Sequence, residues 1–287
     1  RWVKRLTNLL RGIPDRGEAC LSAMTARGRS LLYIARQLED PGAQAEPAPR
    51  PSPQPPRDAR PKQLSVTQIK TLIRDPYAIY ARNILGLQQL DPLTHSANAA
   101  LRGNIVHAVL ERFIKDGPAP GDPDARQHLL DIAEQVLAEE CPWPADQRLW
   151  FARIERFVDG FLQGEVARQA EATHSAFETK GKIALDGVDF TLVGKADRID
   201  IAPDGAALIY DYKSGQPPSK PQQVHYDTQL LLEAAMIELG AFGDLGQRPV
   251  IKAEFLGLAA KTTIVPAPLD EHPPAEFWTE FTPLLHK

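Results

Sequence analysis

Residues Gly194-Lys-Ala-Asp197-Arg-Ile-Asp200 and Leu208-Ile-Tyr-Asp211-Tyr-Lys213 place charge at the ends of two strand-like runs, with the turn Pro203-Asp204-Gly205 between them. Successive side chains of a strand point to opposite faces, so Asp211 and Lys213 project together, and a second strand can bring Asp197 alongside. Two carboxylates converging on one point suit a hard divalent cation with oxygen ligands, Mg2+ or Mn2+. A lysine beside them can orient or deprotonate water and offset charge on a phosphoryl group, which is the equipment of phosphodiester hydrolysis. Burying Asp211 and Lys213 at the end of an apolar strand would be costly without a partner or a cation. An Asp-x-Lys triplet alone arises by chance about once in a chain of this length, and Glu178-Thr-Lys180 is a second acidic triplet nearby. Because no comparable strand ending in a carboxylate precedes it, Glu178 reads as a structural or secondary residue.

On the N-terminal side, residues 176–185 and 188–194 flank Asp186-Gly187, a dipeptide that favours a hairpin. Strand-like runs continue at 195–201 and 206–213. A helix is expected at about 221–240, closed by Gly240, and a further strand at 250–258. Further upstream, Leu101, Ile105, Val106, Val109, Leu110 and Phe113 recur at helical spacing, and two more helical patterns cover 124–140 and 147–172. Ser65-Val-Thr-Gln68 fits a capping box opening a short helix that Pro76 interrupts. Helices, three or four strands, one helix and another strand make an α/β domain with a mixed central sheet and a helical insertion.

Composition sets the outer limits. The chain has 287 residues, 43% of them hydrophobic, which excludes wholesale disorder. No apolar run approaches the ~20 residues of a membrane span, and Cys20 and Cys141 cannot by themselves make a disulfide framework, a four-cysteine zinc site or an iron–sulfur site. A cytoplasmic protein is expected. Residues 41–62 hold eight prolines and almost no large apolar side chain, so they read as an extended spacer. The expected organisation is therefore a helical end of a preceding domain over 1–40, a linker over 41–63 and a folded domain over 64–287. Ends at Arg1 and Lys287 that fall inside helical patterns suggest a piece of a longer polypeptide. Residues 1–74 carry 14 basic and 6 acidic side chains; such a surplus can bind phosphates, although a solvated linker and helix faces explain it as well.

Two helical residues stand out only in this company. His107 follows Gly103 by one turn in Arg102-Gly-Asn-Ile-Val-His107, and Gln229 opens a helix face in Tyr226-Asp-Thr-Gln229. Each alone is an ordinary helix residue.

Taken together, Gly103-x-x-x-His107, Gly194-x-x-Asp197-Arg-Ile-Asp200, Asp211-Tyr-Lys213-Ser-Gly215 and Tyr226-Asp-x-Gln229 resemble, in order and spacing, the RecB-like branch of the PD-(D/E)XK nuclease superfamily. Residues 64–82 look like the start of the C-terminal nuclease domain in the AddB family of AddAB helicase–nucleases, in its alphaproteobacterial form. The resemblance implies a restriction-endonuclease-like core and a Mg2+-dependent DNA exonuclease that resects double-strand breaks for recombinational repair. Asp197 and Asp211 would be metal-binding carboxylates, His107 and the Tyr212 carbonyl further ligands, and Lys213 the catalytic lysine. Gln229 would support the site or contact DNA. Asp200 is a weaker candidate for the first carboxylate, since strand alternation turns it away from Asp197. The implied partners are a single-stranded DNA end and an AddA-type helicase–nuclease chain, with no membrane. No GxxxxGK[ST] motif occurs, so ATPase activity would lie elsewhere. Three departures matter: Asp75-Pro76 stands where relatives have Cys-Pro, so no iron–sulfur cluster is expected; Glu233 stands where the family often has Tyr; and Lys195-Ala196 precedes Asp197 in place of Pro. A catalytically degenerate DNA-binding fold and a stand-alone exonuclease are the rival readings.

Overall fold

The computed structural model describes residues 2–40, 42, 46–90, 92, 93, 96–259 and 261–285, with residue 175 described by its backbone alone. Arg1, Lys287 and part of the proline-rich stretch (41 and 43–45) lie outside the described residues. The chain divides into two compact units, Arg1–Ser52 and Pro53–Lys287.

The first unit is a helical hairpin of α1 (Trp2–Arg11) and α2 (Gly17–Glu39). Gly17 closes the turn by donating its N–H to the Ile13 carbonyl at 3.2 Å, and Arg11 pairs with Glu18 across it.

The second unit runs β1 (Gln63–Ser65), α3 (Val66–Arg74), α4 (Pro76–Ile79), α5 (Ala99–Asp116), α6 (Ala125–Glu140), α7 (Pro144–Glu171), β2 (Thr173–Ala184), β3 (Thr191–Ile201), β4 (Ala207–Lys213), α8 (Lys220–His225), α9 (Gln229–Glu238), β5 (Val250–Gly257), β6 (Thr263–Pro266) and α10 (Pro274–Leu285). The capping box forms as the sequence suggests. Ser65 Oγ accepts the Gln68 N–H at 3.1 Å while Gln68 Oε1 accepts the Ser65 N–H at 2.9 Å. Pro76 then restarts the chain as α4, with Asp75 capping the Ala78 N–H.

Among the described residues the strands form one mixed six-stranded sheet. In it β3 is antiparallel to β2 and β4, β4 is parallel to β5, and β5 is antiparallel to β6. Its two faces are covered by separate cores. Leu208, Tyr210 and Tyr212 of β4 pack with Val109, Phe113, Ile154 and Phe161 of α5 and α7. Ile209, on the opposite face, joins Ile69 of α3, Leu231 and Met236 of α9 and Phe277 of α10. The period-two alternation of β4 thus feeds two helical layers, the arrangement expected of a sheet covered on both sides.

The structure differs from the sequence expectation in three places. The runs 188–194 and 195–201 merge into one strand, β3, which begins at Thr191 and pairs with β2 on both sides of the Gly194-Lys195 junction, where no turn chemistry interrupts it. Gly194 sits opposite Gly181 in that ladder. A Cβ at Gly194 would meet Phe242 and Met236 at 3.2–3.3 Å, and one at Gly181 would meet the Phe242 ring at 2.8 Å, so the glycine pair lets that ring lie close against the sheet. The helix expected at 221–240 is two helices, α8 and α9. The break comes at Tyr226-Asp227-Thr228, where both the Tyr226 and Asp227 N–H groups turn back to the Gln222 carbonyl and the Asp227 carboxylate pairs with Lys70 of α3. Gly240 follows α9 at φ +74°, the left-handed stop its position suggests. The short strands β1 and β6 carry too few residues for alternation to reveal them.

Candidate active site

What shapes the site is a gap in the sheet. Strand β2 runs along one edge of β3 from Thr191 to Ile201. On the other edge β1 pairs only with Thr191–Val193 and β4 only with Arg198–Ile201. Among the described residues, positions 194–197 of β3 therefore have no strand beside them on that edge, and every side chain singled out in the sequence except Asp200 converges there.

Asp197 stands at the fork. Beyond the last ladder pair, Arg198 with Tyr210, its Oδ2 accepts the Tyr212 N–H at 2.9 Å. The Tyr212 carbonyl turns the other way, 2.9 Å from Nε2 of His107 on α5. A carbonyl can only accept, so Nε2 carries hydrogen and the Nδ1 of a neutral ring presents a lone pair. That Nδ1 faces Glu178 Oε1 at 3.3 Å and Asp197 Oδ1 at 3.6 Å. Three acceptors thus crowd one point, an arrangement that a proton on the ring or a cation among the three relieves. One ligand atom from each of His107, Glu178 and Asp197 lies within 4.8 Å of the others. The donor set, one imidazole nitrogen and two carboxylate oxygens, fits a divalent cation.

Glu178, which the sequence alone marks as structural or secondary, belongs to this cluster. The β2–β3 register (Phe177 with Arg198, Thr179 with Ala196) puts it across from Asp197. It adopts φ +49° in the middle of a strand, a left-handed conformation that a non-glycine residue rarely takes and that clusters at functional sites. The signal available in the sequence is its distance from the Asp186-Gly187 turn, but a two-residue turn there would set Glu178 across from Lys195, whereas the observed ladder starts at Ala184 with Thr191 and sets it across from Asp197. Burial would raise the pKa of Glu178, yet the ion pair with Lys195 outweighs that and holds it below the ordinary range.

The other half of the site lies on the α9 face of β4. Asp211 is 2% exposed. Its Oδ2 is 2.6 Å from Lys213 Nζ, and its Oδ1 accepts from Gln229 Nε2 at 2.6 Å. Lys213 also donates to Gln229 Oε1 at 3.3 Å, and its Nζ lies 5.1 Å from the Phe255 ring centre. Gln229 Nε2 donates further to Glu233 Oε1 at 3.2 Å. Burial pulls the Lys213 pKa down, but the charge and hydrogen bond of Asp211 overcome it, so the ammonium stays protonated above the usual lysine range. Burial, with the charge of Asp211, pushes Asp197 up to about 6. Asp211 is likewise raised by burial against the pull of Lys213, and Glu233 is raised well above the ordinary range by burial and by the charges of Asp211 and Asp197.

Asp200 goes elsewhere, as strand alternation requires. It forms a two-pronged pair with the fully buried Arg198, at 2.7 and 2.6 Å, on the helical-insertion face of the sheet. Arg198 also binds Glu165 of α7 and reaches the Tyr212 hydroxyl at 3.2 Å, while Arg168 holds Glu165 from the far side at 2.8 Å. Two arginines and two carboxylates, neutral as a quartet, thus brace β3 from behind the site. Gly103, one turn before His107, is less constrained: a Cβ there would sit an ordinary 4.0 Å from Ser214 Oγ.

The profile of the PD-(D/E)XK nuclease superfamily matches residues 63–282, essentially the whole second unit. The chain belongs to that superfamily. Its relatives include uncharacterized proteins of Rickettsia felis, 30% identical over 208 residues (70% of this chain), and of Rickettsia conorii, 32% identical over 184 residues (62%). A chain of the ATP-dependent helicase/deoxyribonuclease of Streptococcus mutans is 28% identical over 162 residues, 55% of this chain and 14% of that protein. The chain spans 24% and 22% of the length of the two Rickettsia proteins. Among the described residues, no helix of this PD-(D/E)XK chain is long and apolar enough to cross a membrane.

Proposed function

We propose that this chain is the metal-dependent exonuclease domain of a helicase–nuclease that resects DNA double-strand breaks. The observation that carries the reading is the convergence of His107, Glu178 and Asp197 in the gap between β3 and β4, with Asp211 and Lys213 on the adjoining strand. DNA as substrate, and an AddA-type helicase–nuclease chain as partner, are supported by the similarity to the Streptococcus mutans helicase/deoxyribonuclease.

His107, Glu178 and Asp197 would hold Mg2+ or Mn2+, with the Tyr212 carbonyl and Asp211 at the margin of the same site. When bound, the ion supplies Lewis-acid polarisation at the phosphodiester and a lowered pKa for the attacking water. The protein's own residues do the rest. Lys213, kept protonated by Asp211, acts through charge: it opposes the negative charge that develops on the phosphoryl oxygens, rather than serving as a base. Gln229 fixes the ammonium by binding Asp211 and Lys213 at once. Asp197 joins the two strands by its bond to the Tyr212 N–H and turns its other oxygen toward His107 Nδ1, from where it would help hold the cation. His107 spans the Tyr212 carbonyl and the carboxylate pair, and so sets the depth of the site.

Calorimetric titration with Mn2+ tests the donor set without requiring turnover. One saturable site in the parent chain, lost in Asp197→Ala, is expected. Absence of saturable binding in the parent would overturn the assignment.

A further inference from the structure

Glu233 lies one helical turn after Gln229 on α9, so the two side chains sit one above the other. It is 1% exposed, and its Oε2 has no hydrogen-bond partner among the described residues. A buried polar atom left unpaired costs stability, and the helix around it is apolar, reading Leu230-Leu-Leu and Ala234-Ala-Met-Ile. Packing therefore does not account for a carboxyl here.

The bond that Glu233 does make points to its role. A carboxamide offers two N–H hydrogens and one carbonyl oxygen. In Gln229 all three are committed: one hydrogen to Asp211 Oδ1 at 2.6 Å, the other to Glu233 Oε1 at 3.2 Å, and the oxygen to Lys213 Nζ at 3.3 Å. The flipped amide would set its oxygen against Asp211 and its NH2 against the Lys213 ammonium. Both contacts would be repulsive, and Glu233 would then face an oxygen.

We propose that Glu233 is a positioning residue for the cleavage reaction, holding the Gln229 carboxamide in the orientation that bridges Asp211 and Lys213. This rests on the nuclease reading above. A positioning role separates two properties that a purely structural residue would move together. Glu233→Leu removes both the acceptor for Gln229 and the unpaired oxygen, so activity should fall while stability holds or rises. Glu233→Gln keeps a carbonyl in the same place.

The test combines two readouts on the 287-residue chain labelled with 15N at glutamine. The first is solvent exchange of the Gln229 side-chain amide, assigned by its disappearance in Gln229→Glu. The second is single-stranded DNA cleavage with Mg2+, together with thermal melting. Glu233→Leu should speed amide exchange and lower kcat by about tenfold, with KM and Tm not reduced, and Glu233→Gln should restore both. Unchanged exchange in Glu233→Leu would overturn the proposal whatever the cleavage rate, and so would loosened exchange with kcat intact. A kcat loss that follows a fall in Tm and is not restored by Glu233→Gln would assign the residue to packing and overturn it too. If the parent chain cleaves nothing, the nuclease reading fails by itself, while amide exchange still decides whether Glu233 holds Gln229.

Discussion

The Asp197 carboxylate accepts the Tyr212 N–H at 2.9 Å, at the point where the β3–β4 ladder stops. A side chain here takes the place of a backbone partner, so the strands part without leaving a buried amide unpaired. The parting creates the space into which α5 sends His107 from one face and α9 sends Gln229 from the other. The same carboxylate that joins the strands also belongs to the His107, Glu178 and Asp197 cluster, so the fold and the candidate site share one residue.

That sharing can be separated chemically. Asp197→Asn retains an oxygen that can accept the Tyr212 N–H but loses the charge. The variant should keep its fold by circular dichroism and lose Mn2+ affinity and cleavage by about 100-fold or more. A variant that binds Mn2+ as tightly as the parent would remove Asp197 from the site.

The raised pKa of Asp197 gives a pH dependence of definite sign. Its pKa is about 6 in the folded chain against an ordinary 3.8, so between those values the folded state binds more protons than the unfolded state. The metal-free chain should gain stability from this group as pH falls through 6, and the penalty should be fully present above it. Cation binding runs the opposite way: Mn2+ affinity should weaken as pH drops below about 6. Urea unfolding and Mn2+ titration at about pH 5 and pH 7.5, with Asp197→Asn alongside, measure both trends, and the variant should lose the stability trend.

Glu178→Gln should weaken Mn2+ binding by about tenfold while leaving the hairpin paired. The expectation follows from Glu178 Oε1 lying 3.3 Å from His107 Nδ1 and from the ion pair with Lys195 that keeps the carboxylate ionised. Electron paramagnetic resonance of Mn2+ titrated into parent and variant compares the two affinities. Equal affinities would leave Glu178 as a partner of Lys195 alone.

Behind the strand, Arg198 is 0% exposed and pairs with both Asp200 and Glu165, the latter shared with Arg168. Removing one partner of a buried ion pair leaves uncompensated charge, so Arg198→Met should cost about 3–5 kcal/mol. The shift of the urea midpoint measures it. The double variant Arg198→Met with Asp200→Asn should recover part of the loss, because fewer charges are stranded.

Much of this site is legible in the sequence because its chemistry is local. The alternation along Leu208–Lys213 places Asp211 and Lys213 together, and the same rule sends Asp200 to the far face, where it meets Arg198. Ser65 and Gln68 announce their capping box because both halves lie within four residues. What stays hidden depends on register or on long-range partners. Glu178 enters the site because the β2–β3 ladder starts at Ala184 with Thr191, two residues off the register of a tight Asp186-Gly187 turn, and because its backbone takes a left-handed turn. At the break between α8 and α9, Asp227 meets Lys70, a partner 157 residues away. The gap in the sheet comes from β1 pairing with β3 no further than Val193, and three residues of β1 leave no periodic signature.

If Asp197, Asp211 and Lys213 hydrolyse phosphodiesters with a divalent cation, the decisive assay is cleavage of end-labelled linear single-stranded DNA, with Mg2+ and with EDTA, beside Lys213→Ala. Mg2+-dependent shortening of the strand that EDTA stops and that Lys213→Ala reduces by at least about 100-fold is the expected result. A Lys213→Ala chain that cleaves as fast as the parent, or cleavage indifferent to EDTA, would contradict it.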